Sequence, residues 1–176
     1  MDSLRSENLV FRKPKHEDVE QLCGLKNNKE ASKLLGGTAK EYTEQDISDW
    51  IDFHNSRNDE RLFVIYDESV DKLIGHVGLY KIDEIARKAE FGILIADDDS
   101  RGKGYGTMCT NAMVDYAFKC LGLHKVFAEV ISENIPSKMM FLKCGFKLDG
   151  ILRDHNFKNG RFYDVLVLSI IASDRS

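Results

Sequence analysis

The sequence predicts an α+β fold (mixed α/β): a mostly antiparallel mixed sheet of six to seven strands with helices on both faces. Three observations lead there. Apolar segments at 61–66, 72–80 and 89–95 follow one another across short polar stretches, the pattern of antiparallel neighbours. A strand–helix–strand unit around residue 107 calls for a right-handed parallel crossover. Asn159-Gly160, set between two apolar runs, is a type I′ hairpin signal close to the end of the chain.

Each element has its own justification. Leu9 to Lys13 reads as the first strand, and Pro14 breaks it. His16 to Asn27 reads as a helix with Val19, Leu22, Cys23 and Leu25 or Lys26 around its inner stripe. Glu30 to Tyr42 is less regular, with Gly36-Gly37 as a joint. Thr43-Glu-Gln-Asp46 resembles a variant capping box and opens a second helix, with Ile47, Trp50, Ile51 and His54 on one side. Arg61 to Tyr66 and Lys72 to Tyr80 make a hairpin, and Ala89 to Ile95 adds a strand. A helix runs from about Thr107 to Leu121, where Gly122 stops it. Lys125 to Ile131 is a strand, and Asn134 with Pro136 introduces a short helix, Ser137 to Lys143, closed by Gly145. Ile151 to Phe157 and Arg161 to Ile171 flank the final turn. No repeat, low-complexity segment or linker interrupts the 176 residues, so a single domain over 1–176 is expected.

Composition narrows the partners. With 43% apolar and 31% charged residues the chain is an ordinary globular one. A net charge of −4 offers no basic field for nucleic acid. No apolar run approaches the roughly 20 residues of a membrane span, and the N-terminus lacks the hydrophobic stretch of a signal peptide. Cys23, Cys109, Cys120 and Cys144 show no paired or zinc-ligand spacing, and each lies in an apolar stretch. They are expected to be reduced core thiols in a cytoplasmic protein, with no metal site.

The most informative run is Arg101-Gly102-Lys103-Gly104-Tyr105-Gly106-Thr107. Alternating glycines let the backbone curl with its N–H groups pointing one way. The helix behind them adds unpaired N–H groups and the positive end of its dipole. Together these form an anion cradle, most often for phosphate. The chain has no GxxxxGK[ST] string, and its GxGxG spacing differs from the GxGxxG of dinucleotide sites.

Arg101-Gly-Lys-Gly104-Tyr-Gly106 resembles the (Q/R)xxGx(G/A) signature of the GNAT N-acetyltransferases. Glu90-Phe-Gly-Ile is similar to the fourth strand of that fold. Asn134, Ser137 and Phe141 to Gly145-Phe146 resemble its downstream "N…A/S…Y…GF" segment, and the closing hairpin resembles the RimJ/RimL-like and spermidine-acetyltransferase-like branches. The resemblance covers about residues 8 to 171. It implies transfer of an acetyl group from acetyl-CoA directly to an amine, without an acyl-enzyme.

That resemblance assigns expected roles. Amides from Arg101 to Thr107 (Gly102, Lys103, Gly104, Tyr105 and Gly106 between them) would meet the pyrophosphate, with Lys138 and Lys143 as further cations. The backbone of Ile93, Leu94 and Ile95 would hold the pantetheine arm, with Asn134 and Ser137 beside it. A backbone N–H near Ile93 or Leu94 would polarise the thioester carbonyl. Glu90 is the candidate base, with His76 as an alternative; a simpler role for Glu90 is an ion pair with Arg87 or Lys88. Phe141 stands where many relatives place a proton-donating tyrosine, and Tyr163 is the candidate substitute. The acceptor is expected to be a primary amine, a small molecule such as a polyamine or amino sugar more than a protein N-terminus. Its site would use the first two helices, their joint and the last hairpin, with Asp46, Asp49, Asp52, Asp83 and Glu84 as candidate carboxylates. A homodimer or higher homo-oligomer is expected. The alternative is a catalytically idle acetyl-CoA-binding regulatory module.

Overall fold

Strands β1 (Ser3–Ser6) and β2 (Leu9–Arg12) precede the helices α1 (Val19–Lys26), α2 (Lys29–Ser32) and α3 (Glu44–Ser56). Next come β3 (Arg61–Asp67), β4 (Lys72–Asp83) and β5 (Lys88–Ile95), then α4 (Tyr105–Lys119) and β6 (Lys125–Ile131). Helix α5 (Ile135–Lys143) and the hairpin β7 (Lys147–Lys158) and β8 (Arg161–Ile171) complete the chain. This computed structural model describes residues 3–33, 35, 40–100 and 102–175, apart from the side chains of Ser3 and Asp98. The Gly36-Gly37 joint lies outside the described residues.

Among the described residues eight strands form one sheet in the order β1-β2-β3-β4-β5-β6-β8-β7, in which only β5 and β6 run parallel. The strand beyond the expected six to seven is β1, an edge strand of four residues paired with β2. So short and polar a segment carries no periodic signal, because an edge strand has little to bury.

Alternation along the strands sends side chains to two layers. Phe63, Ile65, Val77, Leu79 and Phe91 face α4 and α5, packing with Cys109, Met113, Val114 and Phe141. On the other face Val64 and Leu73 pack with Leu22 of α1 and with Ile47 and Ile51 of α3. Each such buried aliphatic contributes about 1.5–3 kcal/mol. That contribution holds α1 in place, since a helix of eight residues is not stable alone. The capping box of α3 is present in both directions: Thr43 Oγ1 accepts from Asp46 N and Asp46 Oδ2 from Thr43 N.

Asn159 and Gly160 take φ of 52° and 79°, the left-handed pair of a type I′ turn. Helix α4 begins two residues before Thr107 and ends at Lys119. Cys109 and Cys144 are buried and Cys23 is half-buried, but Cys120 is exposed at the C-cap of α4, against the expectation of a core thiol.

The ladder between β5 and β6 is short. β5 pairs with β6 through Lys88–Lys125, Ala89–Val126 and Glu90–Phe127 only. Beyond Glu90, β5 stays with β4 as far as Ile95, and β6 stays with β8 as far as Ile131. The two strands part, and one edge of β5 lies open.

Candidate active site

A cavity of about 900 Å³ fills the parting, lined by Phe91 to Leu94 on one strand and Ala128 to Ile131 on the other. Asn134, Ser137 and Phe141 of the α5 region close one side. Residues between Lys26 and Tyr42, together with His76, Tyr80, Glu90, Asn156 and Lys158, form the other. The end of α1, the described part of the joint and the last hairpin therefore meet at the open strand edge, whereas α3, the second helix expected there, supplies none of the lining residues.

Of the residues expected to hold acetyl-CoA, Ile93, Leu94, Asn134 and Ser137 line this cavity. The side chains of Ile93 and Ile95 pack against the α4 core, leaving the backbone of β5 for recognition. Asn134 caps α5, its Oδ1 accepting from Ser137 N at 3.2 Å. Gly102 and Gly104 have φ of 75° and 80°, a conformation costly for any residue with a Cβ. Gly104 is the N-cap of α4, so the loop delivers its amides to a helix N-terminus. Gly104, Thr107 and Lys143 line a second, neighbouring pocket of about 660 Å³. Arg101 lies outside the described residues.

The rest of the run does other work with its side chains. Tyr105 turns into the core, and its hydroxyl accepts from Asn8 Nδ2 at 3.2 Å. It also faces Asp67, whose burial works against ionisation. Hydrogen bonds from Ser69, Tyr105 and Asn8 outweigh that cost and hold its carboxyl at about 2. A Cβ on Gly106 would stand 2.7 Å from Met140 Sδ, so this glycine lets α4 approach α5 closely. Lys103 stands 5.9 Å from the Tyr105 ring centroid.

Glu90 lines the cavity, with a side chain 23% exposed. Its carboxylate meets Lys81 Nζ at 2.6 Å rather than Arg87 or Lys88. A bulge between Tyr80 and Asp83 puts Lys81 at φ 50° and swings its side chain toward β5. Arg87 instead donates from Nε and Nη2 to Gly122 O.

His76 pairs in register with Leu94 and lines the same cavity. Its Nδ1 is buried without a hydrogen-bond partner. Burial, then the nearby charges of Lys26 and His54, push its pKa well below the usual value, so the imidazole is neutral. Phe141, at the position of the usual tyrosine, packs edge-on against Phe91 at 5.6 Å. Tyr163 lies under Arg161, 4.3 Å from the guanidinium, and is not among the residues lining the cavity.

The acidic residues expected to draw an amine are engaged elsewhere. Asp46 caps α3 and pairs with Lys40, Asp49 accepts from Gln45, Asp52 meets His16, and Asp83 accepts from Ala86 N. Glu84 lies in the exposed turn between β4 and β5. The carboxylates at the cavity are Glu30, Glu41, Glu90 and Glu129.

Three side chains at this site escape a linear reading. The Tyr80 ring lies across Gly78 and Gly92, where a Cβ would stand 2.7 and 3.1 Å from it. Burial pushes its phenol well above the ordinary value. Lys158 reaches back to donate to Ser32 O at 2.8 Å and Leu35 O at 2.7 Å, pinning the joint to the hairpin. Lys26 puts its ammonium 4.2 Å from the Trp50 ring centroid and 5.1 Å from that of Tyr42. Helical spacing puts Lys26 on the inner stripe of its helix but does not show the rings it meets, and Tyr80 and Lys158 carry no linear signal.

Known proteins share this arrangement. The family model described as "Acetyltransferase (GNAT) domain" matches residues 8–147. A spermidine N(1)-acetyltransferase of Vibrio cholerae serotype O1 is 33% identical over 165 residues, covering 94% of each chain. The crystal structure of spermidine N-acetyltransferase from Vibrio cholerae in complex with CoA and spermine superposes with a TM-score of 0.86 at 32% identity, covering 96% of this chain and 98% of that one. A dodecameric structure of spermidine N-acetyltransferase from Vibrio cholerae, in an intermediate state, gives 0.81 at 31% identity over 97% of both chains.

Proposed function

The chain belongs to the GNAT acetyltransferase family and is an acetyl-CoA-dependent N-acetyltransferase of primary amines; on that premise we propose how the cavity divides the work and which amine it takes. The observation that carries the division is the short β5–β6 pairing, which leaves the edge of β5 open to the cavity beyond Glu90. The backbone from Ile93 to Ile95 pairs with the amide groups of the pantetheine arm, as a third strand would. Amides from Gly102 to Thr107 at the start of α4 bind the pyrophosphate. Acetyl-CoA supplies an acetyl group already activated as a thioester.

A β5 amide near Ile93 or Leu94 donates to the carbonyl oxygen as negative charge develops there, a contribution of about 3 kcal/mol. Attack needs the amine's lone pair, so an ammonium must first lose a proton. Glu90, paired with Lys81, takes that proton through water. The amine nitrogen bonds to the carbonyl carbon, its second proton passes to water, the carbon–sulfur bond breaks, and the electron pair leaves on sulfur. Phe141 has no proton to give, so the thiolate departs without help from that position. A thiol's ordinary pKa, about 8.5, makes this leaving group tolerable.

The acceptor in this reading is a linear polyamine. The relatives named above are spermidine acetyltransferases, and Glu30, Glu41 and Glu129 line the cavity without an ion pair among the described residues. The reading takes 1–176 as one domain, acting in the cytoplasm as a homo-oligomer, as the dodecameric relative suggests. A CoA-release assay over polyamines, amino sugars and peptides tests it. Turnover confined to polyamines supports the reading, turnover of peptides alone overturns the acceptor, and tight acetyl-CoA binding without turnover indicates an idle module.

A further inference from the structure

A cation of the protein's own stands on the acceptor side. Lys26, the last residue of α1, places its ammonium between the Trp50 and Tyr42 rings and makes no ion pair among the described residues. Two aromatic faces at such distances are a recognition site for an alkylammonium ion. The walls are fixed without help from the lysine. Tyr42 is tied to α1 through both its backbone groups, Tyr42 N donating to Asn27 Oδ1 and Asn27 Nδ2 to Tyr42 O, each at 2.8 Å. Trp50 rests on His54 at 4.8 Å and on His76 at 5.2 Å.

We propose that Lys26 is a specificity-determining residue: it fills the Trp50–Tyr42 cage with its own cation, so the pocket favours acceptors of few charges over long polycations. The proposal rests on the polyamine reading and refines it. A polyamine reaching past β5 brings further ammonium groups toward a cage already holding one. The repulsion costs a tetraamine more than a diamine, because only the longer chain must place a charge there. Burial lowers Lys26 to about 8, so the discrimination relaxes in alkaline solution. The groups facing it do not replace its charge: His76 from β4 is neutral, His54 on α3 is paired with Glu60, and Lys40, 5.3 Å from the Tyr42 ring centroid, is paired with Asp46.

The test compares kcat/KM for a linear diamine and for spermine in the parent, Lys26→Met and Lys26→Arg, at pH 7 and pH 9. Methionine keeps the apolar stem and removes the charge, and should raise the spermine-to-diamine ratio about tenfold at pH 7. Arginine, which does not titrate here, should keep the parent's pH 7 ratio at both pH values. The parent should drift toward the Met variant at pH 9. Unchanged acetyl-CoA affinity verifies that each variant is folded. A Met ratio equal to or below the parent's overturns the role of Lys26 while the polyamine reading stands. No polyamine turnover by any of the three overturns that reading and this refinement together.

Discussion

Glu90 is held by Lys81 at 2.6 Å, in an ion pair largely open to water on the lysine side, and the cavity touches the carboxylate directly. Its proposed duty is tested by Glu90→Gln, which keeps the shape and removes the base. Turnover should fall about 100-fold, most steeply at acidic pH where amine deprotonation limits. A pH–rate profile parallel to the parent's would clear Glu90 of the role. The residue itself is readable from its place before Phe91-Gly92-Ile93, but its partner is not. Lys81 arrives only because a bulge turns the strand at Tyr80. Tyr80 likewise depends on two glycines that are distant in sequence and adjacent in the sheet. Side chains acting through their own strand or helix could be read from spacing. Those acting across strands could not, since their neighbours are set by register.

Among elements, the same contrast holds. The capping box of α3, the Asn134 cap of α5 and the Asn159-Gly160 turn carry local signals, and all three form where the residues predict. The segment from Asn27 to Tyr42 carries few, because what holds it is remote: Lys158 bonds it from the far end of β7. Lys158→Met removes two charge-assisted hydrogen bonds, each worth about 1.5–3 kcal/mol. The joint should loosen over the acceptor side. The expected outcome is a several-fold rise in acceptor KM with acetyl-CoA affinity unchanged. Equal losses for both substrates would mean that the clamp supports the whole fold rather than one half of the site.

For the whole molecule, the outer hairpin carries a surface that a lone chain leaves wet. Phe157 and Phe162, each 61% exposed, meet with ring centroids 4.9 Å apart and planes tilted by 56°, and Ile151 and Leu148 on β7 are also exposed. Exposed apolar groups in this density mark a contact surface. Phe157→Ser with Phe162→Ser should lower the molar mass measured by light scattering if the proposed homo-oligomer uses this face. An unchanged mass would locate the contact elsewhere. The order β3-β4-β5-β6 was within reach of sequence, since a run of consecutive strands and one crossover determine it; the polar edge strand β1 and the pairing of β8 rather than β7 with β6 were not.

The brevity of the β5–β6 ladder bears on endurance as much as on chemistry. Three residue pairs join a block of five strands to a block of three, with α4 and α5 packed across the seam. A ligand whose amides bridge that seam binds the folded chain alone, so binding and folding are linked. Acetyl-CoA at 100 times its Kd should raise the unfolding free energy by about 2.7 kcal/mol. Hydrogen exchange should slow most at the open-edge amides between Phe91 and Ile95. Protection gathered elsewhere would place the arm off the seam. On this view the substrate stitches together the sheet that holds it, and starving the protein of acetyl-CoA would leave it easier to unfold as well as idle.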